Sequence, residues 1–289
     1  MKYGIAIRNM GPQSTPATIR ACAAAAEALG YDAVFVSDHL CIPPDQTEGS
    51  GGRYLDVLTT LAYLAGMTDR IRLGVSVLVV PYRPAVLTAK QLATIQELSG
   101  ERIILGVGVG WMKPEFDALG VNKSQRGRIT DETLRVIHHL FSHDAAAYQG
   151  ELVSFPAFVF SPRPARPLIW IGGNSKSAIG RVIEFGDGWH PMLPAEKLKP
   201  AVAELRQTLA AKNKSNVEII VRRGARFERR PTRRWRLRSV GRLERRRRRE
   251  AARGVKTRRR PAGGWSQTGG GVEGTGRFEP GGRLEDRWR

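Results

Sequence analysis

The sequence predicts an α/β fold of the (β/α)8 (TIM) barrel type whose C-terminal part is incomplete. Over residues 1–224, short runs rich in β-branched residues alternate with longer helical patterns, which is typical of a parallel sheet built from βα units. The chain of 289 residues lies just above the usual size of one barrel. An open, doubly wound sheet is disfavoured, because no GxGxxG opens the first helix and Trp111 follows the GVGVG segment at residues 106–110.

The elements follow in chain order from hydrophobic periodicity and turn residues. Thr15 can cap the first helix, Pro16 suits its first position, and Gly30 follows its end, where left-handed backbone is needed. The seven predicted strands are residues 3–7, 33–36, 71–78, 103–107, 168–171, 188–190 and 217–221. The predicted helices between them are residues 16–29, 54–65, 84–98, 123–141, 176–185 and 195–211.

One segment interrupts this alternation between the fourth helix and the fifth strand. Residues 146–160 carry several aromatic side chains around Gly150 and Pro156. Glycine and proline punctuate the segment, so a helix is disfavoured there. We interpret it as an extended excursion that covers the barrel mouth.

Residues 225–289 form a separate Arg/Gly-rich tail, with 21 Arg, one Lys and 11 Gly and with neither a helical nor a strand period. Two interpretations are open. The coding frame is shifted near residue 225, since such an excess of Arg with Gly and Trp is typical of GC-rich coding sequence read out of frame. Alternatively, the tail is naturally basic, solvated and disordered, because its few apolar residues cannot offset the entropy of ordering. Under either interpretation, the eighth strand of the barrel is not visible.

The formal net charge of +20 comes mostly from this tail, which holds 22 basic against 7 acidic residues. Nucleic-acid binding through residues 226–260 is disfavoured, because the tail lacks interleaved aromatic platforms and recognition motifs. The most apolar stretch, residues 75–80, is far shorter than the roughly 20 residues that span a bilayer. No leader-like pattern precedes the first strand, so we expect a cytoplasmic protein without a membrane segment.

No metal site is predicted. Cys22 and Cys41 form no CxxC pair, and His138, His139 and His143 have no matched carboxylate or cysteine set. The GxSxG, HExxH and P-loop motifs are also absent from the sequence.

Asp38 and His39 follow the second predicted strand, at the barrel face where side chains converge on substrate. A histidine at this place can exchange a proton near neutral pH. We therefore interpret both as candidate catalytic residues. The alternative is that Asp38 caps the next turn and His39 packs at the rim.

Two glycine-containing loops are candidate binding segments. A glycine lets backbone approach a planar ring or a phosphate closely, although a tight turn explains it as well. Backbone N–H groups at a helix start can receive a phosphate, although an Asn/Ser helix cap is the alternative. The first loop carries Gly106, Gly108 and Gly110, and the second carries Gly172, Gly173, Asn174 and Ser175. Trp189 and His190, at the mouth of the sixth strand, are interpreted as packing residues.

Several segments, in order and spacing, resemble the luciferase-like monooxygenase superfamily. They are YDAVFVSDHL (31–40), the run from YLDVLTTLAYLAG to GVGVGWMKPEF (54–116) and PLIWIGGNSKSAIGRVIEFGDGWHP (167–191). The likeness covers residues 1–224 and is nearest to the branch that uses coenzyme F420, a 5-deazaflavin. It implies a TIM-barrel oxidoreductase that exchanges hydride with a small organic substrate.

The resemblance also implies roles for individual residues. It places a non-prolyl cis peptide between Ser76 and Val77, whose bulge supports the cofactor ring, and His39 beside the reactive ring. It also implies cofactor contacts along the two glycine-containing loops. Some relatives that use deazaflavin carry an acidic residue immediately after the last glycine of the loop, where this chain has Trp111. Glu115 is judged to lie too far along the chain to replace it.

The resemblance leaves one cofactor alternative open, because reduced FMN acting with dioxygen would make the protein a flavin monooxygenase. Relatives commonly dimerise, so a homodimer is an expectation. No membrane partner is expected.

Overall fold

The computed structural model describes residues 2–47 and 49–221, together with the backbone of Arg226–Arg229 and Trp235–Arg238. Its contacts divide the chain into two units, residues 1–224 and 225–289. Within the described residues, no helix is long and apolar enough to cross a membrane.

The helices and strands confirm the predicted βα alternation. In chain order they are β1 (Gly4–Ala6), α1 (Pro16–Ala28), β2 (Ala33–Val36), α2 (Val57–Ala65), β3 (Arg72–Val79), α3 (Ala85–Leu98), β4 (Ile103–Gly108), α4 (Lys113–Ala118), α5 (Arg126–Ser142), β5 (Ala145–Gln149), β6 (Ser154–Val159), β7 (Leu168–Gly172), α6 (Lys176–Glu184), β8 (Gly188–His190), α7 (Ala195–Ala211), β9 (Glu218–Ile219), β10 (Arg226–Arg229) and β11 (Trp235–Arg238).

Seven strands form one parallel sheet in the order β1-β2-β3-β4-β7-β8-β9. Each strand pairs with the next along the chain, apart from the inserted β5 and β6, so the order never reverses. A doubly wound sheet reverses its strand order at a switch point, and that alternative is therefore excluded. The sheet curls towards a barrel, because Lys2 Nζ, before the first strand, reaches Glu218 Oε1, in the last strand, at 2.9 Å. The eighth strand lies outside the described residues.

The inside of the curled sheet is filled by large side chains set against glycines. Phe35 packs against Trp170, with ring centroids 5.6 Å apart. A Cβ on Gly74 would lie 2.3 Å from the Phe35 ring, and one on Gly188 would lie 2.5 Å from the Trp170 ring. These glycines make room for the rings, as close packing requires. The strands are thus covered on both faces, as parallel sheets usually are.

The helix boundaries follow their capping groups. Thr15 Oγ1 accepts from Thr18 N at 3.2 Å, which confirms the predicted cap of α1. Helix α2 begins at Val57 rather than at residue 54, because Asp56 Oδ1 accepts from Thr59 N at 2.8 Å and terminates the helix there. Helix α4 was not predicted, since six residues are too short to show a helical period.

The excursion at residues 146–160 is an antiparallel hairpin made of β5 and β6. Glu132 of α5 accepts hydrogen bonds from the Leu152 and Val153 amides. His139 Nε2, also on α5, lies 2.8 Å from the Ala147 carbonyl oxygen. The hairpin therefore packs on the outer helix α5, and the prediction that it covers the barrel mouth is wrong.

In the second unit, β10 and β11 pair antiparallel, with Arg226 opposite Arg238 and Arg229 opposite Trp235. The sequence showed neither a helical nor a strand period after residue 224, but these eight residues form two paired strands. Each strand is only four residues long, so no alternating pattern stands out among the arginines. The rest of the predicted tail, whether frameshifted or disordered, lies outside the described residues.

Candidate active site

The candidate site is centred on His39, which follows β2, and on Glu115, in the first turn of α4. His39 Nδ1 lies 2.9 Å from Glu115 Oε2. The other carboxylate oxygen, Oε1, accepts from the Leu40 amide at 2.6 Å and from the Cys41 amide at 3.2 Å. Tyr82 donates its hydroxyl to Oε2 at 2.8 Å. A fully buried carboxylate is thus surrounded by four donors.

This arrangement decides which nitrogen of His39 carries a proton. Burial by itself raises the pKa of Glu115, but the hydrogen bonds from His39, the Leu40 amide and Tyr82 outweigh it, and the pKa lies below its ordinary value. Burial and the hydrogen bond to Glu115 raise the pKa of Tyr82, so Tyr82 stays a donor. Because an ionised carboxylate only accepts, Nδ1 of His39 must donate to it. Nε2 is then the nitrogen that can accept a proton.

Glu115 was not expected to act at the site because it lies several residues beyond Gly110, but in the structure it contacts His39. Helix α4 starts only three residues after Gly110, and its first turn directs Glu115 towards the end of β2. The acid therefore supports the histidine. The sequence did contain a signal for the position of Glu115. An acidic residue followed by an apolar one, here Phe116, is typical of the first turn of a helix.

Two aromatic rings flank the imidazole of His39. Tyr54 meets it edge-on, with ring centroids 5.0 Å apart and an angle of 63°. The Trp111 ring also meets the imidazole edge-on, with ring centroids 6.1 Å apart and an angle of 83°. The side chain of His39 is 19% exposed. Its imidazole is therefore partly open to solvent between two aromatic walls.

Asp38, the second predicted catalytic residue, is engaged on both oxygens. Oδ2 accepts from Arg83 Nη1 at 2.7 Å and from the Val79 amide at 2.9 Å, and Oδ1 accepts from Arg83 Nη2 at 2.9 Å. Arg83 also bonds Asp56 Oδ2 at 2.9 Å. Burial lowers the pKa of Arg83, but Asp38 and Asp56 outweigh this and raise it. This geometry suits holding the ends of β2 and β3 together, and a catalytic role for Asp38 stays a prediction.

The peptide bond between Ser76 and Val77 is cis, as the resemblance implied. The register of β3 against β4 shifts between Val75 and Leu78. The Val77 side chain lies over the glycines of the neighbouring strands, because a Cβ on Gly108 would be 2.5 Å from Val77 Cγ2 and one on Gly172 would be 3.2 Å from Cγ1. These two glycines are therefore needed at least to accommodate Val77. Direct cofactor contact by Gly108 and Gly172 stays a prediction.

Gly106 and Gly108, which were predicted to belong to a loop, lie within β4, whereas Gly110 follows the strand and has a different constraint. Its φ of +76° lies in the region that favours glycine, and a Cβ there would be 2.5 Å from Val79 Cγ1. The turn that leads into α4 and Glu115 therefore depends on it.

Ser76 also joins a polar chain that links three strands. Its Oγ lies 3.0 Å from His190 Nε2, and His190 Nδ1 lies 3.1 Å from the Ile220 carbonyl oxygen. Since a carbonyl only accepts, Nδ1 of His190 donates to it, and Nε2 is left to form the hydrogen bond with the Ser76 hydroxyl. His190 was interpreted as a packing residue, and the structure shows that it also makes this polar link.

The second predicted binding segment lies at the start of α6. Ser175 Oγ accepts from Ala178 N at 3.1 Å, so Ser175 is the N-cap of α6. The Asn174 amide exchanges two 2.9 Å hydrogen bonds with the backbone of Met192. Gly173 has φ +109°. The cap interpretation is thus correct, and phosphate binding at the same helix start stays a prediction.

All these groups lie beyond the carboxyl ends of the parallel strands, so the structure brings the predicted residues to one face of the sheet. The described part of the chain contains no group of three or more His, Cys, Asp or Glu side chains arranged to hold a metal ion.

The model of the luciferase-like monooxygenase family matches residues 1–281 of this chain. The chain belongs to this family. Its members are oxidoreductases and monooxygenases that act on small molecules.

Two relatives illustrate how this luciferase-like protein compares with known sequences. This chain is 31% identical over 180 residues to an uncharacterized protein of Mycobacterium tuberculosis. The aligned segment covers 58% of this chain and 62% of the relative. This chain is 28% identical over 202 residues to an FMNH2-dependent dimethylsulfone monooxygenase of Pseudomonas fluorescens, covering 68% and 54% of the two chains. The chain thus spans less than two thirds of the length of both relatives.

A solved structure supports the fold. The F420-dependent secondary alcohol dehydrogenase in complex with an F420-acetone adduct superposes with a TM-score of 0.66 at 17% identity, covering 76% of this chain and 68% of that one. At this identity, the likeness supports the barrel-type fold alone.

Proposed function

We propose that this luciferase-like protein is an oxidoreductase that binds the 5-deazaflavin coenzyme F420 and transfers hydride between it and a small organic substrate. The observation that carries the proposal is the His39–Glu115 pair. A buried, ionised carboxylate holds the imidazole in one tautomer, and Nε2 is left to exchange a proton with substrate. When an alcohol is oxidised by hydride loss, its hydroxyl proton needs such an acceptor.

The residues at this face fit a flat redox cofactor with a phosphate-bearing chain. Val77 projects from the bulge of β3 and offers an apolar support, and the flanking glycines leave the neighbouring strands without bulky side chains. The N-terminus of α6, with its cap Ser175, offers backbone donors and the positive end of the helix dipole. A bound deazaflavin supplies the hydride chemistry.

The roles of the chain's own residues follow from these positions. Gly173, Asn174 and Ser175 shape the turn that binds the phosphate. Val77 supports the ring. Glu115 holds His39, and His39 Nε2 accepts the proton of a substrate hydroxyl or returns it to a carbonyl. Asp38 holds the end of β3 through the Val79 amide and Arg83.

A second candidate function is an FMN-dependent monooxygenase, which the named Pseudomonas fluorescens relative favours. The two functions differ in the co-substrate and in the need for dioxygen. The same His39–Glu115 pair would serve proton exchange in either reaction.

The test is a pair of titrations of the full chain, one with coenzyme F420 and one with FMN, followed by fluorescence while circular dichroism verifies folding. We expect saturable binding of the deazaflavin and its reduction by a small secondary alcohol under argon. His39→Gln should retain binding and lose reduction. Binding of FMN alone, with oxygen uptake, would replace the proposal by the monooxygenase. Size-exclusion chromatography of the same sample tests the expected homodimer.

A further inference from the structure

We infer that Trp111 and Tyr54 form the walls of a substrate pocket over His39, and that this pocket selects an uncharged alcohol or carbonyl compound with apolar substituents. The inference rests on the proposed function and deepens it by naming a substrate class. Its first support is position. Both rings contact the same imidazole, with centroids 5.0 Å and 6.1 Å from that of His39, so a molecule that bonds to His39 lies close to both.

Trp111 is held in place while its ring remains exposed. Gly110, before it, is packed against Val79 and Phe116, and Met112, after it, is buried at 3% exposure. The Trp111 side chain itself is 63% exposed. A fixed backbone that presents a large apolar ring beside a catalytic group is a preorganised contact surface, because little entropy is lost when a ligand covers it.

The charges next to this surface are internally compensated. Glu115 lies fully buried behind His39, and both of its oxygens accept hydrogen bonds from protein groups. Arg83 is engaged by Asp38 and Asp56. Neither the carboxylate nor the guanidinium is therefore available to pair with a charged substrate. The imidazole remains as a polar group beside the two aromatic walls, of which Tyr54 also carries a hydroxyl.

Leu40 and Met192 add to the apolar character of this face. Leu40, next to His39, is 37% exposed, and Met192, bonded to Asn174, is 63% exposed. Such a surface suits a substrate whose one hydroxyl or carbonyl group bonds to His39 and whose aliphatic or aromatic substituents contact the apolar side chains.

The reaction of such a substrate balances with the proposed cofactor as oxidant. A bound deazaflavin would supply the acceptor for the hydride of the carbinol carbon, His39 Nε2 would take the hydroxyl proton, and the carbon–oxygen bond would become a double bond. The alcohol is oxidised by two electrons and the deazaflavin is reduced by two. The reverse direction returns the proton from Nε2 to the carbonyl oxygen.

The kinetic test compares wild type, Trp111→Ala and Leu98→Ala on 2-propanol, 2-butanol and 2-hexanol. Leu98 is a matched control, because it is 67% exposed at the end of α3, at the opposite end of the barrel. For wild type and Leu98→Ala we expect kcat/KM to rise about 3-fold per added methylene. For Trp111→Ala this dependence on chain length should flatten, with 2-propanol changed by less than about 3-fold. An unchanged dependence in Trp111→Ala, or a preference of wild type for the anionic 2-hydroxypropanoate, would overturn the inference.

A binding measurement that needs neither turnover nor cofactor separates this inference from the proposed function. Saturation-transfer NMR with 2-octanone on the protein alone should show binding that Trp111→Ala weakens about 10-fold and that Leu98→Ala leaves unchanged. If no alcohol reduces the deazaflavin but this Trp111-dependent binding persists, the proposed function is wrong and the apolar pocket stands. Equal 2-octanone binding by wild type and Trp111→Ala would overturn the pocket, whatever the cofactor.

Discussion

Replacing Glu115 with Gln should reduce substrate turnover by at least about 30-fold while leaving the fold intact. The Gln amide oxygen can still accept from the Leu40 and Cys41 amides, but its NH2 group then faces His39 Nδ1 and the Tyr82 hydroxyl. Because an NH2 group only donates, His39 must accept at Nδ1 and carry its proton on Nε2. The imidazole can then no longer take a proton from an alcohol.

The magnitude follows from the charge that is lost. Two unit charges about 4 Å apart attract by about 4 kcal/mol at an effective dielectric of 20. The side chain of His39 is 19% exposed, so we retain about half of this, about 2 kcal/mol, for the protonated imidazole in the transition state. That corresponds to about 30-fold in kcat. The reversed tautomer adds to this, up to the roughly 10⁴-fold that general base catalysis can contribute.

The assay is anaerobic reduction of the deazaflavin by 2-propanol, with nitrogen-15 NMR of the His39 ring to report the tautomer even in an inactive variant. Asp117→Asn is the matched control, because Asp117 lies on the same helix, is 57% exposed and pairs with the exposed Lys113. It should stay within about 2-fold of wild type. A Glu115→Gln variant with wild-type kcat and an unchanged Nδ1 proton would refute the role assigned to Glu115.

Three further predictions concern stability. Arg83→Met should lower the free energy of unfolding, measured in urea, by about 3–5 kcal/mol, because it leaves the buried Asp38 carboxylate without its ion pair. Adding Asp38→Asn should recover part of this loss, and no recovery would mean that the two residues are not coupled. Gly108→Ala should lower the free energy of unfolding by about 1–3 kcal/mol, since its Cβ would lie 2.5 Å from Val77. The control Gly180→Ala, with open space around it in α6, should be neutral or stabilising, and equal effects of the two substitutions would contradict the close packing at Val77. Burial, reinforced by the nearby Arg166, lowers the pKa of His138 from 6.5, so the folded state binds fewer protons than the unfolded state, and stability should fall as the pH drops below about 6.5. His138→Gln should flatten the pH dependence of thermal unfolding between pH 7 and pH 5, and a profile identical to wild type would exclude this residue as its source.

Periodicity and turn residues determined the sheet strands, because a parallel strand and an amphipathic helix each leave a local pattern. The order of the strands followed once each βα unit was placed next to the one before it. The start of α2 depends on a side-chain cap, which a periodic pattern does not reveal. Helix α4 is too short to show a periodic pattern at all. The hairpin of β5 and β6 was recognised as extended, but its packing on α5 depends on Glu132, a contact between distant parts of the chain.

The candidate site shows the same difference between local patterns, which the sequence reveals, and contacts between distant residues, which it does not. Because His39 follows a strand, its placement at the mouth could be predicted from sequence alone. Its partner Glu115 is 76 residues away and could not be paired with it by spacing. The partner of Asp38, Arg83, is 45 residues away, so the buried ion pair between them could not be predicted by spacing either.

The glycines illustrate the physical reason for this division. From the sequence, a close approach to a ring or phosphate and a tight turn were both open explanations for Gly108, and neither identified the group that lies beside it. In the structure it is Val77, on the neighbouring strand. Local backbone preferences are encoded in consecutive residues and can be read from the sequence. The neighbour of a side chain is determined by how the strands and helices pack, and only the tertiary structure decided that His39 meets Glu115 and that the ring of Trp111 borders it.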